Sequence, residues 1–169
     1  MTRVPLVDLN DQIVEYKERD ETTPRDRLRI AALWLTNTKG EILIAQRALT
    51  KKHHPGRWAF ACTGVVDEGE TYEQTIRREL REELGLTGLK MVTGPKFLTD
   101  ELDGYKYFCQ YFLATKDIPL EEFKIDLTEV AAIRWIDPNE LIRESEKYPD
   151  AFIVFVEKWR EWIKEGRPF

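Results

Sequence analysis

"TGVVDEGETYEQTIRRELREELGL", Thr63 to Leu86, carries seven acidic side chains in twenty-four residues. Tyr72, Ile76, Leu80 and Leu84 recur at i, i+4, i+8 and i+12, the slanting apolar stripe of an amphipathic helix over 71–84. Thr71 followed by Gln74 fits a capping box, and Gly85 fits the stop. Each helical residue turns by about 100°. With Glu79 at zero, Glu82 lies at roughly −60° and Glu83 at roughly +40°, while the stripe runs from about 20° to about 140°. Glu83 therefore sits over the edge of the buried face, with Glu79 as its like-charged i+4 neighbour. Such a pair repels, and more strongly as water is excluded.

Acidic helix faces are ordinarily solvated, and Glu73 to Arg77 and Arg78 to Glu82 are ordinary i,i+4 pairs. That account covers Glu82 well, Glu79 poorly and Glu83 hardly at all. A divalent cation between the carboxylates turns repulsion into attraction. Oxygen-only donors suit Mg²⁺ or Mn²⁺ rather than a thiolate-seeking metal.

The spacing is specific. Gly64, five residues, Glu70, seven residues, then Arg78-Glu79-Leu80-Arg81-Glu82-Glu83-Leu84-Gly85-Leu86 resembles the Nudix box (residues 64–86) at every specified position. The resemblance implies a Nudix α/β/α sandwich with a mixed β-sheet. It also implies metal-dependent hydrolysis of a nucleoside diphosphate linked to another moiety. By the same resemblance Glu79, Glu82 and Glu83 match metal-binding and base-positioning carboxylates, with Glu79 or Glu82 as the base. Gly64 matches the loop glycine at the metal, and Glu70 with Arg78 an ion pair holding loop to helix. Glu129, ahead of "VAAIRWIDPNEL", is the acid chosen as an additional metal ligand outside the box.

The rest of the chain supports an α/β reading. "VPLVDL" and "QIVEYK" around Asn10-Asp11 suggest an opening hairpin, about 3–17. "LRIAALWLTN" and "EILIAQRA" around "TKG" suggest a second. "WAFACTGVV", "LKMVTGPKFLT", "YKYFCQYFLAT" and "EVAAIRWI" read as strands, and Pro138 opens a short helix to about Lys147. A last amphipathic helix is expected over about 151–165. At 169 residues, the chain is expected to form one domain over 1–169.

A net charge of −5 gives no global footprint for nucleic-acid polymers or an anionic membrane. Only two cysteines, the lack of an apolar leader in "MTRVPLVDLNDQ" and an apolar run no longer than Phe152–Val156 point to a cytoplasmic protein. The basic loop with Lys51, Lys52 and Arg57 is a candidate for substrate phosphate, and Tyr107 for the remainder of the substrate. His53 and His54 in that loop read first as solvated side chains. The opening hairpin and the aromatic last helix offer surface for a homodimer.

Beyond the box, "ALWLTNTKGEILIAQRALTKKHHPGRW" and "LVDLNDQIVE" resemble the isopentenyl-diphosphate isomerase branch of the superfamily. Its catalytic residues do not carry over. Thr63 stands at the catalytic cysteine with Cys62 one residue early, Tyr107 at the catalytic glutamate, and Arg29 and Val65 at metal-binding histidines. Hydrolysis is therefore the leading expectation. Isomerase-like chemistry on a prenyl diphosphate and a non-catalytic nucleotide-binding module are the alternatives.

Overall fold

The computed structural model describes residues 2–102 and 105–153 together with Glu161 and Ile163. Its centre is β3, Arg27–Thr36, whose residues are buried almost end to end. A strand without a polar face needs a cover on both sides, and alternation supplies it. Ile30, Ala32 and Trp34 enter a core with Ile42, Ile44, Tyr111, Ile136 and Leu141. Ala31, Leu33 and Leu35 enter another with Ile76, Leu80, Leu84 and Phe112. The first core is roofed by α2, Pro138–Lys147, and the second by α1, Tyr72–Leu84. Helices thus cover both faces, giving an α/β/α sandwich.

The strands are β1 Arg3–Val7, β2 Ile13–Glu18, β3, β4 Ile42–Arg47, β5 Trp58–Phe60, β6 Cys62–Val65, β7 Val92–Leu102, β8 Tyr105–Thr115 and β9 Val130–Ile136. Beyond the β1–β2 ribbon they form one mixed sheet ordered β5-β4-β3-β8-β7, with β6 also on β3 and β9 also on β4. β3 and β8 run parallel over ten residue pairs, and the other pairings are antiparallel.

Two details differ from the sequence reading. The β3–β4 hairpin pairs only at Thr36↔Ile42, after which β3 turns to β6 and β8, and β4 to β5 and β9. "WAFACTGVV" is likewise two strands, β5 on β4 and β6 on β3, with Ala61 at the crossing. Both mark the same division of the sheet, with β6, β8 and β7 on the β3 side and β5 and β9 on the β4 side.

The last helix does not begin at Ala151. Pro149–Ala151 form a 3-10 turn, Phe152 bridges Trp58, and Ile153 N–H donates to Trp58 O at 3.0 Å. Glu161 and Ile163 are helical, and the rest of the expected 151–165 helix lies outside the described residues. Among the described residues no helix is long and apolar enough to cross a membrane.

The opening hairpin docks through one acid. Asp11, at φ 60° in the turn, accepts from Arg29 Nε at 2.7 Å, Tyr72 Oη at 3.0 Å and Lys96 Nζ at 2.5 Å. One carboxylate so joins β1–β2 to β3, to the start of α1 and to β7. Burial by itself raises the Asp11 pKa, but the bonds from Lys96, Arg29 and Tyr72 outweigh it and hold the group below its ordinary value. A depressed pKa stabilises the fold above the ordinary carboxylate value and ceases to do so as pH falls through the depressed one. Asp11→Asn is therefore expected to cost about 2 kcal/mol at pH 7, discounted from a fully buried pair because Lys96 is partly exposed. Urea melts should show the deficit shrinking below pH 4 or so.

Candidate metal centre

The helix α1 is placed by the devices its sequence announces. The Thr71 hydroxyl accepts from Gln74 N–H at 3.2 Å, and Gln74 Oε1 accepts from Thr71 N–H at 2.8 Å. Gly85 ends the helix at φ 68°, and Leu86 N–H closes back on Leu80 O at 3.0 Å. Ile76, Leu80 and Leu84 are fully buried, which fixes the rotation of the helix and hence where its acids point.

Arg78 joins the helix to the loop before it. Its Nε and Nη2 donate to the two oxygens of Glu70 at 2.8 and 3.0 Å, and Nη2 also pairs with Asp67 at 3.2 Å. Nη1 donates to Glu79 Oε1 at 2.7 Å and reaches Glu82 Oε2 at 3.4 Å. The buried Thr75 hydroxyl adds a 2.7 Å bond to Glu70. Glu70 is held below the ordinary carboxylate range, first by the Arg78 bonds. Asp67 is pushed up by burial, which outweighs its attraction to Arg78.

Glu79 and Glu83 lie inward. The Glu79 side chain is 14% exposed, and burial raises its pKa against the pull of Arg78. Glu83 is pushed up to about 8, first by burial, then by repulsion from Glu79, with Glu129 adding to it. A hydrogen bond from Cys62 and the charge of Arg47 oppose that rise only in part. Gly64, on β6 opposite Ala31, is what lets Glu79 in. A Cβ at position 64 would stand 2.4 Å from Glu79 Oε1, well inside contact distance.

Glu129 arrives from another part of the chain. Asp126 N–H donates to Glu83 O at 3.0 Å, Glu129 N–H to Asp126 O at 2.9 Å, and Ala48 N–H to Glu129 O at 2.9 Å. These bonds bring Glu129 into the cleft that Glu83 lines, with Arg47, Phe60, Ala61 and Thr63. The cleft is about 20 Å³, room enough for a water-sized guest.

The structure separates the remaining candidates from this cleft. Glu82 is about half exposed on the outer face, between Arg78 and Arg81. Lys52 is exposed on the β4–β5 loop, Arg57 is half-buried at its end, and neither lines the cleft. Tyr107 is half-buried on the sheet face away from α1, packed toward Val4, Leu6 and Leu28 of the hairpin cluster. A larger groove of about 410 Å³ opens between Tyr16, Arg29, Asp67, Glu70 and Tyr72, and contains none of Glu79, Glu82, Glu83 or Glu129. Arg47 and Asp67 are contributors the sequence reading missed. An arginine ending the apolar run "ILIAQR" was the available signal for the first.

The donor set fits a hard divalent cation. It is all oxygen, it gathers repelling carboxylates where water is scarce, and a glycine leaves room for one of them. Among the described residues, however, no group of three or more His, Cys, Asp or Glu side chains is arranged so as to hold a metal ion.

Comparison with known proteins agrees with the fold. The NUDIX domain model matches residues 26–156, and the chain belongs to the Nudix family. An uncharacterised Nudix hydrolase of Pseudomonas aeruginosa is 32% identical over 147 residues, 86% of this chain and 85% of its own. An isopentenyl-diphosphate Delta-isomerase of Corynebacterium diphtheriae is 31% identical over 90% of this chain and 89% of its own. A crystal structure of a Deinococcus radiodurans protein superposes with a TM-score of 0.79 at 25% identity, covering 94% of this chain and 98% of that one.

Gly64→Ala tests the close approach. The added methyl displaces the Glu79 carboxylate and breaks its bond to Arg78, so calorimetric titration should show Mn²⁺ binding weakened more than about tenfold. Because the displaced end is flexible, melting should register a loss of only about 1 kcal/mol.

Proposed function

We propose that this protein is a Nudix diphosphohydrolase, cleaving the diphosphate of a small organic molecule such as a nucleoside diphosphate linked to another moiety. The observation that carries this reading is the intact box, with Glu79 turned in against Gly64 and Glu83 sharing a small cleft with Glu129. Mg²⁺ or Mn²⁺, when bound, supplies positive charge for the diphosphate oxygens and acidifies water. Glu79, Glu83 and Glu129 would hold it, with the Gly64 backbone beside Glu79. Glu79 or Glu82 takes the proton of the attacking water, Glu82 from its more open position. Arg78 and Glu70 keep the loop and helix from separating as charge builds on the phosphates. Lys52 and Arg57, on the loop leading away from the cleft, meet phosphates lying outside it.

An isomerase-like reaction finds less support. Cys62 is 1% exposed among Leu80 and Leu84 under α1, and burial with the neighbouring Glu83 pushes its thiol well above the ordinary range. An accessible thiolate is what a reactive cysteine needs. Arg29 and Val65 cannot share a metal either. Val65 stands across from Ile30, on the face opposite the one from which Arg29 meets Tyr72.

Glu83→Gln is expected to lower kcat/KM at least about a hundredfold, more than the loss of an outer-shell partner costs. In metal-free buffer its melting temperature should equal that of the unmodified protein near neutral pH, where the Glu83 carboxyl is mostly protonated, and exceed it above about pH 8, where a repelled buried charge is gone. The measurement is phosphate release over nucleoside diphosphate derivatives, dinucleotides and prenyl diphosphates, with the Glu83→Gln protein as blank. Turnover surviving the substitution, or activity lost together with a clear drop in melting temperature, would count against the proposal.

A further inference from the structure

Beside the cleft the β4–β5 loop and the segment before β9 are stitched together, and a lysine stands at the seam. Ala48 N–H donates to Glu129 O at 2.9 Å, and Lys51 N–H returns to Ala48 O at 3.2 Å. From that tight turn the Lys51 ammonium reaches Glu129 Oε2 at 2.5 Å. Lys51 is 28% exposed and Glu129 38%. Glu129 is fixed from behind by the bonds running through Asp126 to the last turn of α1. The carboxylate that Lys51 holds is thus the same one that faces Glu83.

The neighbouring acids, Glu83 in the cleft and Glu79 outside its lining, are differently served. Glu79 shares the Arg78 guanidinium, a fork whose remaining bonds go to Glu70, Asp67 and Glu82. Glu83 receives a hydrogen bond from Cys62 and feels Arg47 at a distance. Glu129 alone among the three is paired to a single flexible ammonium, a point charge on a long stem that can leave without unpicking other bonds. A divalent cation that uses Glu129 must take its oxygen from Lys51 and then tolerate a like charge close by.

We infer that Lys51 is a built-in competitor of the metal: its ammonium occupies Glu129 until a divalent cation displaces it, and so sets how tightly the acidic cleft binds that cation. The inference rests on the reading of Glu83 and Glu129 as metal-holding residues. A partly exposed ion pair is worth at most about fivefold in an equilibrium, and relief of charge repulsion adds to it. Removing the ammonium is accordingly expected to tighten metal binding three- to tenfold, roughly.

The test is Mn²⁺ binding without substrate, by calorimetry and by the paramagnetic resonance signal of free Mn²⁺. It uses the full chain, Lys51→Met, Lys51→Gln, Lys51→Arg, Glu129→Gln and the double variant Lys51→Met/Glu129→Gln, with melting curves for each. Lys51→Met and Lys51→Gln should bind Mn²⁺ more tightly, Lys51→Arg as the parent does, and Glu129→Gln more weakly. In the Glu129→Gln background the gain from Lys51→Met should fall below about twofold. Unchanged or weaker binding by both uncharged variants would overturn the inference and make the pair a mere tether. So would an equal gain with and without Glu129, which marks a general charge effect. Failure of the parent protein to bind Mn²⁺ takes down the metal reading itself, a result distinguishable from either.

Discussion

The guanidinium of Arg78 is the contact on which the site depends. It touches both the loop and the helix of the box, and it divides its donors unequally: two oxygens of Glu70, one each of Asp67, Glu79 and Glu82. A lysine has no such fork and could hold one or two of these acids at a time. The unequal division matters chemically. Both oxygens of Glu70 are taken by Arg78, whereas Glu79 keeps one oxygen free of it.

Face parity sets which side chain of β6 opens to the cleft. On β6, Cys62 stands opposite Leu33 and shares its core beneath α1, whereas Thr63 stands opposite Ala32 and lines the cleft. A single-residue step along a strand exchanges a sheet's two faces. The cysteine of this chain is therefore sealed under the helix, and the position that opens to the cleft carries a hydroxyl with no base paired to it in the sequence pattern of an isomerase. Likeness in overall sequence to an isomerase and unlikeness at the reacting positions coexist because the first is set by the core and the second by parity.

Much of this was legible in the residues. The stripe Ile76, Leu80, Leu84 fixed the rotation of α1, and Thr71, Gln74 and Gly85 its ends, since both are local properties. The α/β class followed from strand-like runs flanking one helix. What escaped was what depends on distant pairing. Nothing local in "WAFACTGVV" says that it changes partners at Ala61, or that "EILIAQRA" leaves its hairpin mate after one pair. Asp11 read only as a turn residue, because Arg29, Tyr72 and Lys96 converge on it from three separate elements. The choice of Glu129 among several late acids leaned on its place before a strand. Its position beside Glu83 comes from backbone bonds at Asp126 and Ala48 that no side-chain pattern records.

The crossing at Ala61 has a consequence for selectivity. Its methyl group, 0% exposed, forms part of the floor of a cleft of about 20 Å³. A bulkier side chain at this crossing would fill the floor and close the space between Glu83 and Glu129. Under the proposed function, discrimination among substrates falls to the loop surfaces around the cleft, where sequence is free to vary without disturbing the acids beneath.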